Sequence, residues 1–441
     1  MSTRIPGPGP LANVPVAIGM LRDPANTLIA LQRRYGNVFR FGAGPLAYTC
    51  LLGPDANRYV LSENPANFTW REALKALIVV DGDTALVVSD GPEHQRRRRL
   101  VQPAFSTRAI KGYVDVMVDE ANRTIDAWSG GQELDVYEEL RRAIRRIAIR
   151  TLFGDTLGDR AEEFGDSLSA ALEFVNKPMS AMIKLPVPGT GWTRATRGRN
   201  RADEIVNAEI ARRRACPPSD HDLLDRLLNA TDDEGGAALS DVEVRDQVVS
   251  LIAAGYDTTS GVAGWTIHEV LHNDGEWKRA VAEVHDVVGD DRLTVSHLGR
   301  MPHLDRVVNE SLRLWPPAFI SARKTTDDFD FDGHTISAGS LVVYSAYATH
   351  RMPDVWPNPD AFDPDRWIGL DVDPYAFVPF GGGYRRCIGF AFAIQELKVL
   401  LVEVLRRVEM QGLRATAQPT GVASLRPKGG VPVRIVSVAP N

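Results

Sequence analysis

A chain of 441 residues with 44% hydrophobic and 24% charged side chains has room for a large buried core and lacks the composition of a disordered tail. A net charge of -6 excludes a general nucleic-acid binder, which carries a basic excess. The three cysteines, Cys50, Cys216 and Cys387, are too scattered for a disulfide framework or a zinc cluster and fit a reducing, cytoplasmic setting.

In chain order, Pro6-Gly7-Pro8-Gly9-Pro10 precedes a short apolar stretch, Leu11 to Leu21, broken by Asn13 and Pro15. It falls short of the roughly 20 residues of a membrane span and has no basic leader with a cleavage site, so neither a membrane anchor nor an export signal is read. Val38 to Phe41, the turn Gly42 to Pro45, and Ala47 to Leu52 predict a β-hairpin. Helical patterns dominate from about Asp55 to Trp315, with loops expected at Pro186 to Asn200 and Thr231 to Ala238. Ser240 and Glu243 form a capping box at the start of a helix predicted to reach about Leu271. Its middle, Val248 to Gly255, is apolar or small on nearly every face, the pattern of a helix that crosses the core. A strand-rich segment follows, with Phe329 to Phe331, an Asp332-Gly333 turn, and Leu341 to Tyr344. No repeat or shift of composition divides the chain, so one domain spanning 1–441, mainly α with small β-sheets, is expected.

The run Phe380-Gly381-Gly382-Gly383-Tyr384-Arg385-Arg386-Cys387-Ile388-Gly389 precedes a helical pattern, Phe390 to Val408. A helix N-terminus favours a thiolate at Cys387, which could bind a metal. A phosphate loop or a buried cysteine beside a turn are the alternatives, the first weakened because no lysine-serine/threonine ending follows the glycines. The full run resembles the haem-binding loop of the cytochrome P450 family. The resemblance implies a P450-like fold with haem b between the core-crossing helix and the helix after Cys387, and with that thiolate as the proximal iron ligand.

Four further segments match the family in order. In Ala254-Gly255-Tyr256-Asp257-Thr258-Thr259, a hydroxyl can bond a carbonyl one turn back and open the helix; the resemblance implies an oxygen-binding groove with Asp257 and Thr258 as a proton relay. Glu310-Ser311-Leu312-Arg313, with Glu310 and Arg313 on one helix face, and Arg366 in Phe362-Asp363-Pro364-Asp365-Arg366-Trp367 match a structural triad that supports the cysteine loop. In His94-Gln95-Arg96-Arg97-Arg98, His94 and Arg98 share a face; they match haem-propionate ligands of the family, as does Arg323, and Arg385 is a further candidate. Arg96, Arg97 and Arg99 read as a solvated basic face or a dock for an acidic redox partner.

The implied activity is a monooxygenase that inserts one atom of O2 into a hydrophobic small molecule: a lipid, fatty acid, terpenoid or polyketide. Mainly apolar segments at Phe68 to Asp90, Phe174 to Lys184, Leu251 to Ala254, Pro317 to Ala322 and Gly421 to Ser424 match regions that line the family's pocket. No dinucleotide-binding fingerprint occurs, so electrons are expected from a separate ferredoxin or flavodoxin with its reductase. A haem protein that binds gas or carries electrons without oxygenating is the alternative, and a nucleic-acid module built on Arg96 to Arg99 is disfavoured by the acidic total.

Overall fold

Ser240 Oγ accepts the amide of Glu243, whose carboxylate accepts the amide of Ser240 in return, and this reciprocal cap opens the longest helix, Asp241–His272. The helix crosses the core as its apolar middle predicts, packing against helices Val136–Phe153, Gly191–Ala215, Pro302–Leu314 and Phe390–Arg407. Close approach is built into it: a Cβ on Gly261 would lie 2.7 Å from the Leu425 carbonyl, so only glycine lets the Leu425 strap seat against this helix. The computed structural model describes residues 4–44, 47–158, 160–176, 184–216, 222–232 and 234–440.

The expected hairpin forms, with Val38–Phe41 antiparallel to Tyr48–Leu51 and Phe39 opposite Cys50. It belongs to a five-stranded sheet that also takes in Leu341–Tyr344, Ser321–Thr325 and Phe68–Thr69. Asp332 and Gly333, both at positive φ, close the tight turn from Phe329–Phe331 to its partner His334–Ile336. The rest is mainly helical, with a small sheet of Glu133–Asp135, Pro432–Val438 and Val408–Gly412, and the mainly-α class with small sheets is observed.

The loop expected over Pro186 to Asn200 is corrected: it ends at Thr190, whose side chain accepts the Thr193 amide and caps the helix Gly191–Ala215. Glycine and arginine there read as loop chemistry but serve helix packing. Gly198 lets the backbone of Ser167 approach, since a Cβ would fall 2.3 Å from its carbonyl oxygen. Arg199 is buried and turns inward to Asp246 on the core helix, 2.9 Å away. Asp246 also accepts the amide and hydroxyl of Thr84 at 3.0 and 2.8 Å and the Arg245 guanidinium at 2.8 Å.

This buried carboxylate ties the 78–90 segment and the Gly191–Ala215 helix to the core helix. Asp246→Ala is expected to cost about 1–3 kcal/mol, because Arg199 keeps Asp203 at 2.7 Å as a partner but loses a buried acceptor, as does Thr84; a urea midpoint compared with wild type measures it.

Candidate active site

The Phe380 to Gly389 run is a tight loop, with one turn of 3-10 helix at Gly383–Arg385, leading into the helix Phe390–Arg407. Its glycines serve the loop's seat more than a ligand. Gly383 sits at φ +60°, and a Cβ there would meet the Leu61 carbonyl oxygen at 1.9 Å, so the loop rests directly on the Tyr59–Glu63 turn. The Cys387 amide donates to the Phe380 carbonyl at 2.9 Å and closes the loop. The thiol is crowded by protein yet remains accessible, as expected of an atom on the wall of an interior cavity. Burial pushes its pKa up, opposed by the Gly389 amide and the Arg98 and Arg386 guanidinium groups.

The core helix offers a matching wall. From Asp246 to His268 every residue is buried except Leu251, Ala254, Gly255 and Thr258. These recur at i, i+3, i+4 and i+7 and form one stripe open to space inside an otherwise packed helix. A Cβ on Gly255 would touch nothing within 4 Å. Thr258 Oγ1 donates to the Ala254 carbonyl at 2.6 Å, one turn back. Asp257 does not share this face: its carboxylate is buried against Arg141 at 3.4 Å and the side-chain amide of Asn176. Ser424 bonds the Asp257 carbonyl at 3.2 Å, so Asp257 joins three chain segments on the far side of the helix. Of the expected pocket segment Phe174 to Lys184, residues 177–183 lie outside the described residues.

The cations predicted from separate motifs converge. Arg323 is buried with its guanidinium 3.2 Å from the Trp70 ring centre, and Arg385 lies 4.7 Å from the same ring. Arg323 donates to the Tyr344 hydroxyl at 3.0 Å, and Arg385 to the Asp90 carboxylate at 2.7 Å. Arg98 donates to the Arg386 carbonyl at 2.8 Å. His94 packs edge-on to Tyr384, and burial with the nearby Arg385 and Arg98 lowers its pKa to about 3, so its imidazole is neutral. His94 Nδ1 and Arg385 Nε are buried without a partner. Three guanidinium groups with Asp90 as their one acidic partner among the described residues leave surplus positive charge and unused N–H groups beside the cysteine loop.

By contrast, Arg96, Arg97 and Arg99 are not a solvated face. Arg96 and Arg97 grip Glu243, and Arg99 pairs with Asp232 at 2.9 Å. That corrects the expectation of a free basic dock, since the charges are spent fixing the core helix and its preceding loop.

Glu310 and Arg313 are completely buried. Glu310 accepts from Arg313 Nε and Nη2 at 2.9 and 2.8 Å, Arg366 Nε at 2.8 Å, Trp367 Nε1 at 3.0 Å and the Asp363 amide at 2.9 Å. The bridge from this triad to the cysteine loop is His350, which sequence reading missed. Its Nδ1 lies 3.0 Å from the Arg313 carbonyl and its Nε2 accepts the Val378 amide at 3.0 Å, two residues before Phe380. Accepting at Nε2 requires a neutral ring, and burial lowers its pKa to about 3. Trp70, Arg141, Asn176 and Glu396 were also missed, since none lies in a motif that names it.

A mainly helical fold that sets an accessible cysteine and a cluster of cations beside a core-crossing helix defines a cofactor-binding protein. The sequence profile of Cytochrome P450 matches residues 6–428. Cytochrome P450 139 of Mycobacterium tuberculosis (strain ATCC 25618 / H37Rv) is 41% identical over 94% of this chain and 98% of its own length. Cyclooctat-9-en-7-ol 5-monooxygenase of Streptomyces melanosporofaciens is 32% identical over 93% of this chain and 90% of its own. Among solved structures, retinoic acid bound cyanobacterial CYP120A1 superposes with a TM-score of 0.86 at 27% identity, covering 96% of each chain. The cytochrome P450DA heme domain gives 0.89 at 26% identity, covering 99% of this chain and 98% of its own. The chain belongs to the cytochrome P450 family. It is an oxidoreductase whose family uses a haem iron with a cysteine thiolate ligand, O2 and a redox partner.

Two expectations follow from the buried charges. Arg366→Leu should destabilise by about 1.5–3 kcal/mol by removing one of the two cations that bond the buried Glu310, read as a lower urea midpoint. Glu396, buried against the core helix near Thr259, has its carboxyl pKa raised by burial to about 8. A native pKa above the unfolded one means the folded state holds a proton that the unfolded chain has released, so stability falls as pH rises from the ordinary carboxylate range through about 8. Glu396→Gln should flatten that decline, measured as urea midpoints at mildly acidic and mildly alkaline pH.

Proposed function

We propose that this single domain, residues 1–441, is a haem b-dependent monooxygenase. It would insert one atom of O2 into a hydrophobic small molecule and reduce the other to water with two electrons and two protons. The observation that carries the reading is the pairing of an accessible Cys387 with an unneutralised cationic cluster, because haem combines an iron that takes a thiolate with two carboxylates that take cations. His94 Nδ1 and Arg385 Nε, buried and unpartnered, fit that group in particular.

Cys387 would hold the iron, and His94, Arg98, Arg323 and Arg385 would hold the propionates. When bound, haem supplies the oxidising chemistry, and the protein sets ligand, proton supply and substrate pose. The Leu251, Ala254, Gly255 and Thr258 stripe gives a small-residue wall where O2 and substrate can approach. The Thr258 hydroxyl, on that stripe, orients a proton donor. Asp257, buried on the far side of the helix beside Arg141 and Asn176, would supply the acid of the relay. Glu310, Arg313 and Arg366 hold the cysteine loop in place through His350.

An apolar substrate fits the mainly apolar segments around the stripe, and the name of the Streptomyces relative favours a terpenoid over a fatty acid. Electrons would come from a ferredoxin or flavodoxin with its reductase, in the cytoplasm.

The decisive measurement is the reduced carbon monoxide spectrum, followed by product analysis with a reconstituted electron donor. Wild type should give the thiolate-type band and Cys387→Ala should lose it; a retained band would remove Cys387 as ligand. Haem binding without any product across hydrophobic substrates would favour the non-oxygenating alternative.

A further inference from the structure

The helix Asn13–Arg22 departs from the ordinary pattern of a surface helix. Val16 and Met20 pack inward against the cluster around Leu28, Phe39 and Cys50. On the opposite side, Leu11, Val14, Ile18 and Leu21 stand 90%, 60%, 46% and 42% exposed. At 100° per residue Val14, Ile18 and Leu21 fall within an arc of about 60°, with residues 16 and 20 across the axis, and Leu11 stands in the turn just ahead of the helix. A helix apolar on both faces is ordinarily buried, yet no residue of this one is. Other large exposed apolar side chains among the described residues are single or in pairs, such as Leu185 with Val187 and Ile368 with Leu370. The stripe is a local concentration.

Charge around the stripe is equally uneven. Between Arg4 and Pro54 the chain has five arginines and one acid, Asp23, although its net charge is -6. Asp23 is occupied as the cap of the next helix, accepting from the Asn26 amide at 3.2 Å. Arg4, Arg22, Arg33, Arg34 and Arg40 are all exposed, and none forms an ion pair among the described residues. That contrasts with Arg96, Arg97 and Arg99, which are engaged by acids. Arg22 follows Leu21 directly, and Arg33 and Arg34 end the helix Pro24–Tyr35 that packs on the first. The Arg40 amide donates to the Pro6 carbonyl at 2.8 Å, just ahead of the stripe.

We propose that this segment docks the protein on an anionic lipid surface. The helix lies in the interfacial plane, with Leu11, Val14, Ile18 and Leu21 at the acyl boundary and the arginines among the lipid phosphates. This is peripheral association, since no helix of the described residues is long and apolar enough to cross a membrane. Apolar contact alone would not choose the lipid; the unpaired arginines do, through attraction to negative headgroups. They also oppose self-association, because a two-fold pairing through the stripe sets arginines against their own copies with no acid to offset them.

The test is co-sedimentation of the full chain with phosphatidylcholine vesicles and with vesicles of phosphatidylcholine and phosphatidylglycerol in equal parts. Wild type should bind the anionic vesicles at least about tenfold more tightly than the neutral ones, and the difference should shrink as salt is raised. A variant carrying Leu11→Ser, Val14→Ser, Ile18→Ser and Leu21→Ser should bind the anionic vesicles about tenfold or more weakly. A variant carrying Arg22→Gln, Arg33→Gln and Arg34→Gln should lose the preference for negative lipid. Circular dichroism and thermal midpoints matching wild type restrict the comparison to folded protein, and arginine substitutions at exposed sites supply a second folded variant. The proposal is overturned by equal binding of wild type and the serine variant, by absence of binding to anionic vesicles, or by a dimer in sedimentation velocity that the serine substitutions abolish.

Discussion

The carboxylate of Glu310 is the point on which the site depends. It has no access to water and accepts five hydrogen bonds, from Arg313, Arg366, Trp367 and the Asp363 backbone. An ion buried this completely is tolerable only when its lone pairs are filled, so its partners cannot move independently. Arg313 passes the constraint on: it donates to the carbonyls of His350, Pro359 and Ala361 at 2.9, 2.6 and 2.9 Å, which fixes the irregular 350–363 backbone that no helix or sheet holds. His350 then carries it to Val378, and Val378 accepts the Gly381 amide at 3.1 Å at the base of the cysteine loop. The loop's other support is the Leu61 backbone beneath Gly383. A loop held from both sides can present one sulfur at a fixed place with only a single 3-10 turn of its own.

Features that repeat along the helix or sit in one short segment were legible in the sequence. The capping box and apolar middle of Asp241–His272 located the core helix to within a residue or two, and the alternation around Gly42 located the hairpin. Glu310 with Arg313 was visible as a same-face pair, and Arg366 by resemblance alone. What stayed hidden depends on contacts across the chain. His350 stands 37 residues from Arg313 and 28 from Val378, and nothing in its neighbours marks the connection. Trp70 gathers two arginines from distant strands and loops in the same way. The Pro186 to Asn200 misreading has a related cause: glycine and arginine signal a loop locally, and only the partner helix reveals that Gly198 is there for close approach.

Arginine plays two roles in this chain, and local composition does not separate them. Arg96 and Arg97 on the Gly91–Val101 helix meet Glu243, so their charge is cancelled where it stands. Arg98, in the same run but turned to the other side of that helix, meets the Arg386 carbonyl and lies near the Arg385 guanidinium instead. The helical repeat therefore sorts one basic run into a structural half and a half with positive charge to spare. Burial lowers the pKa of Arg98 and Arg323, which is the electrostatic sign of cations placed without sufficient anions.

The same sorting explains the core helix. Asp257 and Thr258 are adjacent in sequence, but one residue is about 100° of rotation, enough to put the hydroxyl on the open stripe and the carboxylate among Arg141, Asn176 and the Ser424 strap. Thr258, on the open stripe, bonds the Ala254 carbonyl one turn back. The rotation therefore separates the two: the Asp257 carboxylate joins chain segments at the back of the helix, and the Thr258 hydroxyl faces the open stripe.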